Sequence, residues 1–284
     1  MKLNTFIQKI GARAPFLGGA KHQSATRPTL GESRRFPYGP FRFKTQLPKG
    51  REFTVHASTD LRTWTSIGKG IGAEDKVEYI DSEAFKFSYR FYRLQTGELW
   101  SLNVIGYASV SLPPGFSMIA NPFDSADTIG EVLKGWPDGT TLNKFDTRLF
   151  RLTENAVKQG KWTDPDEKLL HGEGAIFFNP TSDYKSASFT GEVIQGHLAL
   201  PIPAGFSVRS SLVPQAGNLV DDLGFPITNG DVIHIFDRER QKYLLHPYEN
   251  AHWPAGPPVV SVGESFWVAK TEPGNWIRKF TIEG

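Results

Sequence analysis

Beyond residue 40, apolar and polar positions alternate with a period of two. Phe41 and Phe43 alternate with Arg42 and Lys44; Phe53, Val55 and Ala57 alternate with Thr54 and His56; Val77 and Tyr79 repeat the pattern, and Phe91-Tyr92-Arg93-Leu94 closes the series. That period predicts half-buried strands, because successive strand side chains point to opposite faces. Between the strands, Ser58-Thr59-Asp60-Leu61 predicts a polar turn that returns Trp64 to the sheet as a core anchor. Residues 1–38 lack the alternation: Pro15, Gly18-Gly19, Pro28 and Pro37 lie scattered among bases and small polar residues. Leu3, Phe6, Ile7 and Ile10 have the spacing of one helical face, so this segment is either a basic arm with a short amphipathic helix or a disordered leader.

The rest of the chain contains one unit written twice. Gly106 and Pro113-x-Gly115-Phe116-Ser117 recur 90 residues later as Gly196 and Pro203-x-Gly205-Phe206-Ser207. Phe145-Asp146, Trp162, Gly172-Glu173 and Phe189 recur 91 residues later as Phe236-Asp237, Trp253, Gly263-Glu264 and Phe280. Ordered matches of this kind mark an internal repeat. Trp162 and Trp253 are therefore expected as equivalent buried anchors, and Gly-Glu as a turn whose carboxylate binds backbone N–H groups.

These patterns predict an all-β chain: a basic arm (1–38), a β-domain (39–100) and two duplicated β-sandwich or barrel-like domains (101–192 and 193–284). Composition agrees, with 28 Gly, 20 Pro and 13% aromatic residues favouring short strands and many turns. No cysteine is present, which excludes disulfides and thiolate chemistry. No apolar run approaches the roughly 18–20 residues of a membrane helix, and the start of the chain lacks the apolar stretch of an ordinary signal peptide. The net charge of +2 conceals an asymmetry: residues 1–51 hold eleven bases against Glu32 alone, whereas the remainder carries a net −8.

The stretch from Phe41 to Gln95, with Ser58 to Leu61, Trp64, Tyr79-Ile80-Asp81 and Phe91-Tyr92-Arg93, resembles a fibronectin-type-III-like module of large bacterial surface and secreted proteins. The resemblance implies an Ig-like sandwich and a place at the cell surface or outside the cell, against the cytoplasmic alternative that the missing signal favours. At some 55 residues the module is short, so one or two strands must come from elsewhere. The duplicated region is similar to the segment that follows such modules in uncharacterised bacterial surface proteins, and this likeness implies no mechanism.

Catalytic and metal templates are all incomplete. Gly68-x-Gly70-x-Gly72 precedes Glu74-Asp75 and a strand, which marks a hairpin and not a phosphate loop. Ser117 and Ser207 begin like nucleophile elbows, but Ile119 and Arg209 stand where the closing glycine belongs. His171-x-Glu173 lacks the paired cysteines of a zinc deaminase, and the repeat has Val262 for His171. His246 and His252 with Asp237 and Glu249 read as ordinary surface residues, and Asp164-x-Asp166-Glu167 lacks the rest of a calcium loop. No catalytic, cofactor or metal site is predicted.

The expected function is that of a non-enzymatic structural or assembly protein that forms a homo-oligomer or polymer. Its expected contact residues are Leu3, Phe6, Ile7, Lys9, Arg13, Lys21, Arg27, Arg34 and Arg35 of the arm, with binding to other surface proteins also open. One alternative is glycan binding by exposed Trp100 and Trp276. Another is nucleic-acid or polyanion binding through the basic arm.

Overall fold

The computed structural model describes residues 27–36, 39–73 and 76–282. Their first strands are β1 (Leu30–Arg35), β2 (Phe41–Gln46), β3 (Glu52–Ser58), β4 (Thr65–Ile71), β5 (Lys76–Asp81), β6 (Tyr89–Thr96) and β7 (Leu99–Trp100). The first repeat contributes β8 (Ile105–Leu112), β9 (Gly115–Ile119), α1 (Ile129–Val132), β10 (Thr141–Asp146), β11 (Arg151–Lys158), β12 (Lys161–Trp162), β13 (Ala175–Asn179) and β14 (Lys185–Glu192). The second contributes β15 (Gly196–Ile202), β16 (Gly205–Ser210), β17 (Gly217–Asn218), β18 (Val232–Asp237), β19 (Lys242–Pro247), β20 (Val259–Val260), β21 (Ser265–Lys270) and β22 (Gly274–Phe280). Every strand pairing among the described residues is antiparallel, and the chain is an all-β sandwich protein.

A sheet of β1-β2-β5 faces a six-stranded sheet ordered β14-β8-β6-β3-β4, with short β7 also paired to β6. Between them lies a core of Phe41, Phe43, Val55, Tyr92, Leu94 and Tyr107. Buried Asp81 is satisfied there, accepting from Arg90 Nη1 at 2.8 Å and from the Tyr92 hydroxyl at 2.7 Å. Two expected boundaries shift. Leu30–Arg35, assigned by sequence to the arm, is β1, because Leu30 is buried and the strand pairs with β2. The first sandwich also extends past residue 100, because β8 pairs with β6 on one side and with β14 on the other. Ile105 and Tyr107 face the first core, while Ala108, Val110 and Leu112 face the repeat core. Gly106 lets β8 lie this close, since a Cβ there would be 2.7 Å from the Arg90 carbonyl oxygen. One sheet thus joins the first sandwich to the first repeat.

The duplication holds for six strands of each repeat, while β12 in the first and the β17-β20 pair in the second have no counterpart. The order β9-β13-β10-β11 recurs as β16-β21-β18-β19, and the pair β8-β14 recurs as β15-β22. Registers within these matching sets of four strands agree residue for residue: Gly115 faces Asn179 as Gly205 faces Lys270, and Phe145 faces Leu152 as Phe236 faces Tyr243. The outer pair does not follow the 91-residue spacing. Residues 180–184 link β13 to β14, whereas only 271–273 link β21 to β22. With a link two residues shorter, Trp276 faces Leu200 as Ala187 faces Val110. The equivalence of Phe189 with Phe280 is therefore corrected.

The expectation that Trp162 and Trp253 are equivalent buried anchors is corrected as well. In the first repeat, buried Trp162 donates from Nε1 to the Leu133 carbonyl at 2.9 Å. In the second, Trp276 makes the same bond to the Leu223 carbonyl at 2.8 Å. The space left by small Ala187 in one copy is filled by Trp276 in the other, and Trp253 is only partly buried, against Tyr248. The same structural need is met from two different strands.

Candidate functional site

Each Gly-Glu turn is built the same way. Glu173 Oε2 accepts from the Leu170 amide at 3.0 Å, and Glu264 Oε2 accepts from the Ser261 amide at 3.0 Å. The glycines, Gly172 and Gly263, both have φ of 79°, in the left-handed region that glycine adopts at little cost. These turns join the copies. The Ala120 amide donates to the Gly263 carbonyl at 2.9 Å, and its equivalent Ser210 donates to the Gly172 carbonyl at 3.1 Å. Ile119 bridges Glu264 as Arg209 bridges Glu173. Reciprocal contacts of this kind define an isologous interface, so the repeats form a pseudo-two-fold dimer within one chain.

Its centre is a small core of three equivalent pairs: Met118 with Val208, Phe145 with Phe236, and Ile176 with Trp267. Two hairpins cross the interface. Gln241, in the β18–β19 turn, receives the Phe116 amide on Oε1 at 2.7 Å and donates from Nε2 to the Phe116 carbonyl at 2.9 Å. Its equivalent Phe150, in the β10–β11 turn, packs edge-on near Phe206, the equivalent of Phe116, at 6.3 Å.

Away from this core the symmetry fails, and a groove opens. On the second repeat, Trp267 packs against Phe145 at 4.9 Å and donates from Nε1 to the Tyr243 hydroxyl at 3.1 Å. On the first repeat, Ile176 takes the place of that indole, Asn143 that of His234 and Glu154 that of Leu245. The smaller residues leave a groove of about 450 Å³, walled by Phe116, Phe178, Leu152, Phe236 and Tyr243. Asn143 donates from Nδ2 to the Thr141 hydroxyl at 3.0 Å, which leaves its carbonyl oxygen beside exposed Glu154 as acceptor groups in an apolar trough. Burial pushes the Tyr243 phenol up and the His234 imidazole down.

Leu3, Phe6, Ile7, Lys9, Arg13 and Lys21 lie outside the described residues. The described arm residues are bound to the first sandwich. Arg27 donates from Nε to the Trp100 carbonyl at 2.9 Å and from Nη2 to the Ser101 carbonyl at 3.0 Å. The Arg34 guanidinium lies 5.2 Å from the Phe36 ring centre, and that of Arg35 4.6 Å from the Tyr107 ring centre. The pair of exposed indoles proposed for glycan stacking is not present. Trp276 is fully buried, and one face of half-buried Trp100 is covered by the Arg93 guanidinium at 3.7 Å.

Ser117 and Ser207 are fully buried side chains at equivalent strand positions. The His171 ring bonds the Leu212 carbonyl, and that of His246 the Gly256 carbonyl at 2.9 Å. Among the described residues no three His, Asp or Glu side chains converge as a metal site. The groove carries no sequence motif; only the departures of the first repeat from the second at Ile176, Asn143 and Glu154 could have pointed to it. No family model, curated protein or solved structure matches the chain.

Proposed function

We propose that the chain is a non-enzymatic structural or assembly protein of a bacterial surface or extracellular particle, and that it self-associates through the apolar surface around its two crossing hairpins. One observation carries this reading. Of sixteen exposed large apolar side chains among the described residues, eight lie on those hairpins and the strands beside them: Phe116, Leu149, Phe150, Leu152, Phe206, Tyr243, Leu244 and Leu245. Apolar exposure concentrated in one region marks an interaction surface, whereas scattered single residues do not. The shared six-stranded sheet supports a scaffold role, since it joins the first sandwich to the first repeat with no flexible linker. The strand order β1-β2-β5 against β8-β6-β3-β4 supports the fibronectin-type-III-like reading of the first unit. Buried carboxylates serve the fold: Asp81 holds Arg90 and Tyr92, and Asp231 holds Lys270.

Light scattering after size exclusion, across a wide concentration range, tests this function. The expected result is mass that rises above that of one chain, and a charged substitution such as Leu245→Glu reverses the rise. A chain that remains monomeric throughout overturns the reading.

A further inference from the structure

The two faces of the internal dimer give a direct comparison of a filled trough with an open one. On the second repeat the Trp267 ring lies against Phe145 and 6.3 Å from Phe206. On the first, the equivalent residues, buried Phe236 and exposed Phe116, line the groove beside Ile176. The chain's own packing thus shows that an aromatic ring fits between walls of this kind. The open trough adds what the filled one lacks, the Glu154 carboxylate and the Asn143 carbonyl, so a ring flanked by cationic groups suits it.

Such a segment lies in this chain outside the described residues. Residues 1–26 contain Phe6 between Leu3 and Ile7, with Lys2 and Lys9 nearby, and no acid anywhere in the 26 residues. Arg27 is anchored at Trp100 and Ser101, beside the start of β8, whereas the groove begins just past its end, at Phe116. Eight strand residues separate the two, about 24 Å. The twenty residues between Phe6 and Arg27 are long enough to span that distance within one chain, so the choice of a second copy follows from the assembly reading and from the charge match at Glu154.

We propose that the groove lined by Phe116, Leu152, Ile176 and Tyr243 receives Phe6 from the basic N-terminal segment of a second copy of this chain, with Glu154 facing its lysines. The inference rests on the assembly reading above and names the contact that carries it.

Photo-crosslinking on the full chain tests it. Phe6→p-benzoylphenylalanine is introduced, and copies labelled with ¹⁴N and ¹⁵N are mixed before irradiation. Crosslinks between differently labelled copies are expected at the groove walls. Ile176→Trp, which supplies the ring found in the second repeat, reduces them roughly tenfold. Because Ile176 touches the interface, Glu154→Lys serves as a second variant on an exposed side chain; it lowers crosslinking severalfold, and more so at low salt, where exposed charges are least screened. Crosslinks confined to single copies, crosslinks elsewhere, or yields unchanged by both variants overturn the proposal. Light scattering on the same samples separates the two ideas: assembled chains without groove crosslinks refute this contact alone, while monomeric chains refute both.

Discussion

Gly174 stands directly against Ser265, its own equivalent in the other repeat: a Cβ built on the glycine would lie 2.3 Å from the serine Cβ. The pseudo-two-fold axis passes between them, and there is room for only one side chain. Gly174→Ser, which merely copies the other repeat, should therefore cost about 1–3 kcal/mol through overpacking. Ser265→Gly introduces no clash, leaving a small void and the entropy of a second glycine, and should cost less. Urea unfolding of the two variants checks the asymmetry. Equal losses would mean that the interface yields freely at its centre.

The same symmetry predicts matched effects at the joining turns. A Cβ on Gly172 would meet Leu200 Cδ2 at 2.8 Å, and one on Gly263 would meet Val110 Cγ2 at 2.7 Å. Both substitutions to Ala also force a left-handed φ on a residue with a Cβ, at about 1–2 kcal/mol. Each should lower stability by a similar amount in urea unfolding. A large difference between them would break the equivalence of the two turns.

Trp276 and Trp253 exchange the roles that sequence spacing gives them. Trp276→Ala removes a fully buried indole and its bond to Leu223, and should cost about 3–5 kcal/mol. Trp253→Ala, at a partly buried rim position, should cost less than about 2 kcal/mol. Chemical unfolding of both variants reads the order.

What the residues revealed before the structure, and what they did not, has a physical pattern. The repeat was legible because its turns demand particular residues: glycine at the left-handed positions of Gly115, Gly172, Gly205 and Gly263 leaves matching marks in both copies. The all-β class was legible from alternation, which fails where a strand is covered on both faces. Ile105 to Ala108 are all buried, so β8 reads as an apolar run and its membership of two sandwiches leaves no periodic signature. Strand β1 fails in the opposite sense, as a polar edge with Leu30 its sole fully buried residue. The groove was invisible because it arises from substitutions at Ile176 and Glu154 that look ordinary until the second copy is laid over the first.

A buried ion pair offers a test of how interchangeable the copies are. Lys270 and Asp231 pair with essentially no exposure, and Lys270 also donates to the Pro226 carbonyl and the Thr228 hydroxyl at 2.9 Å. The equivalent positions in the first repeat hold neutral Asn179 and Thr140, both fully buried. Lys270→Asn alone leaves the Asp231 charge unpaired and should cost about 3–5 kcal/mol. The double change Asp231→Thr with Lys270→Asn imports the neutral solution and should recover much of that loss. A double-mutant cycle by urea unfolding measures the coupling, and additive losses would show that the pair does not act as a unit.

His171 should make the stability of the chain depend on pH. Its ring is largely buried beside the interface, against the Leu212 carbonyl, and burial pushes its pKa below the ordinary histidine value, outweighing that bond and the opposing charge of Asp124. The folded chain therefore binds this proton less readily than the unfolded chain does. Above about pH 6.5 both states are neutral here and the residue confers no pH dependence. As the pH falls below that value, the unfolded state takes up a proton that the fold resists, so stability declines until the lowered pKa is passed. His56 and His234 are also lowered, by burial first, so the intact chain shows a summed slope. His171→Val, which places the side chain of the equivalent Val262 there, isolates one part of it. Thermal unfolding between pH 5 and pH 8 should show a shallower acid decline for the variant than for the parent chain. Parallel curves would mean that the His171 ring reaches solvent and charges without penalty.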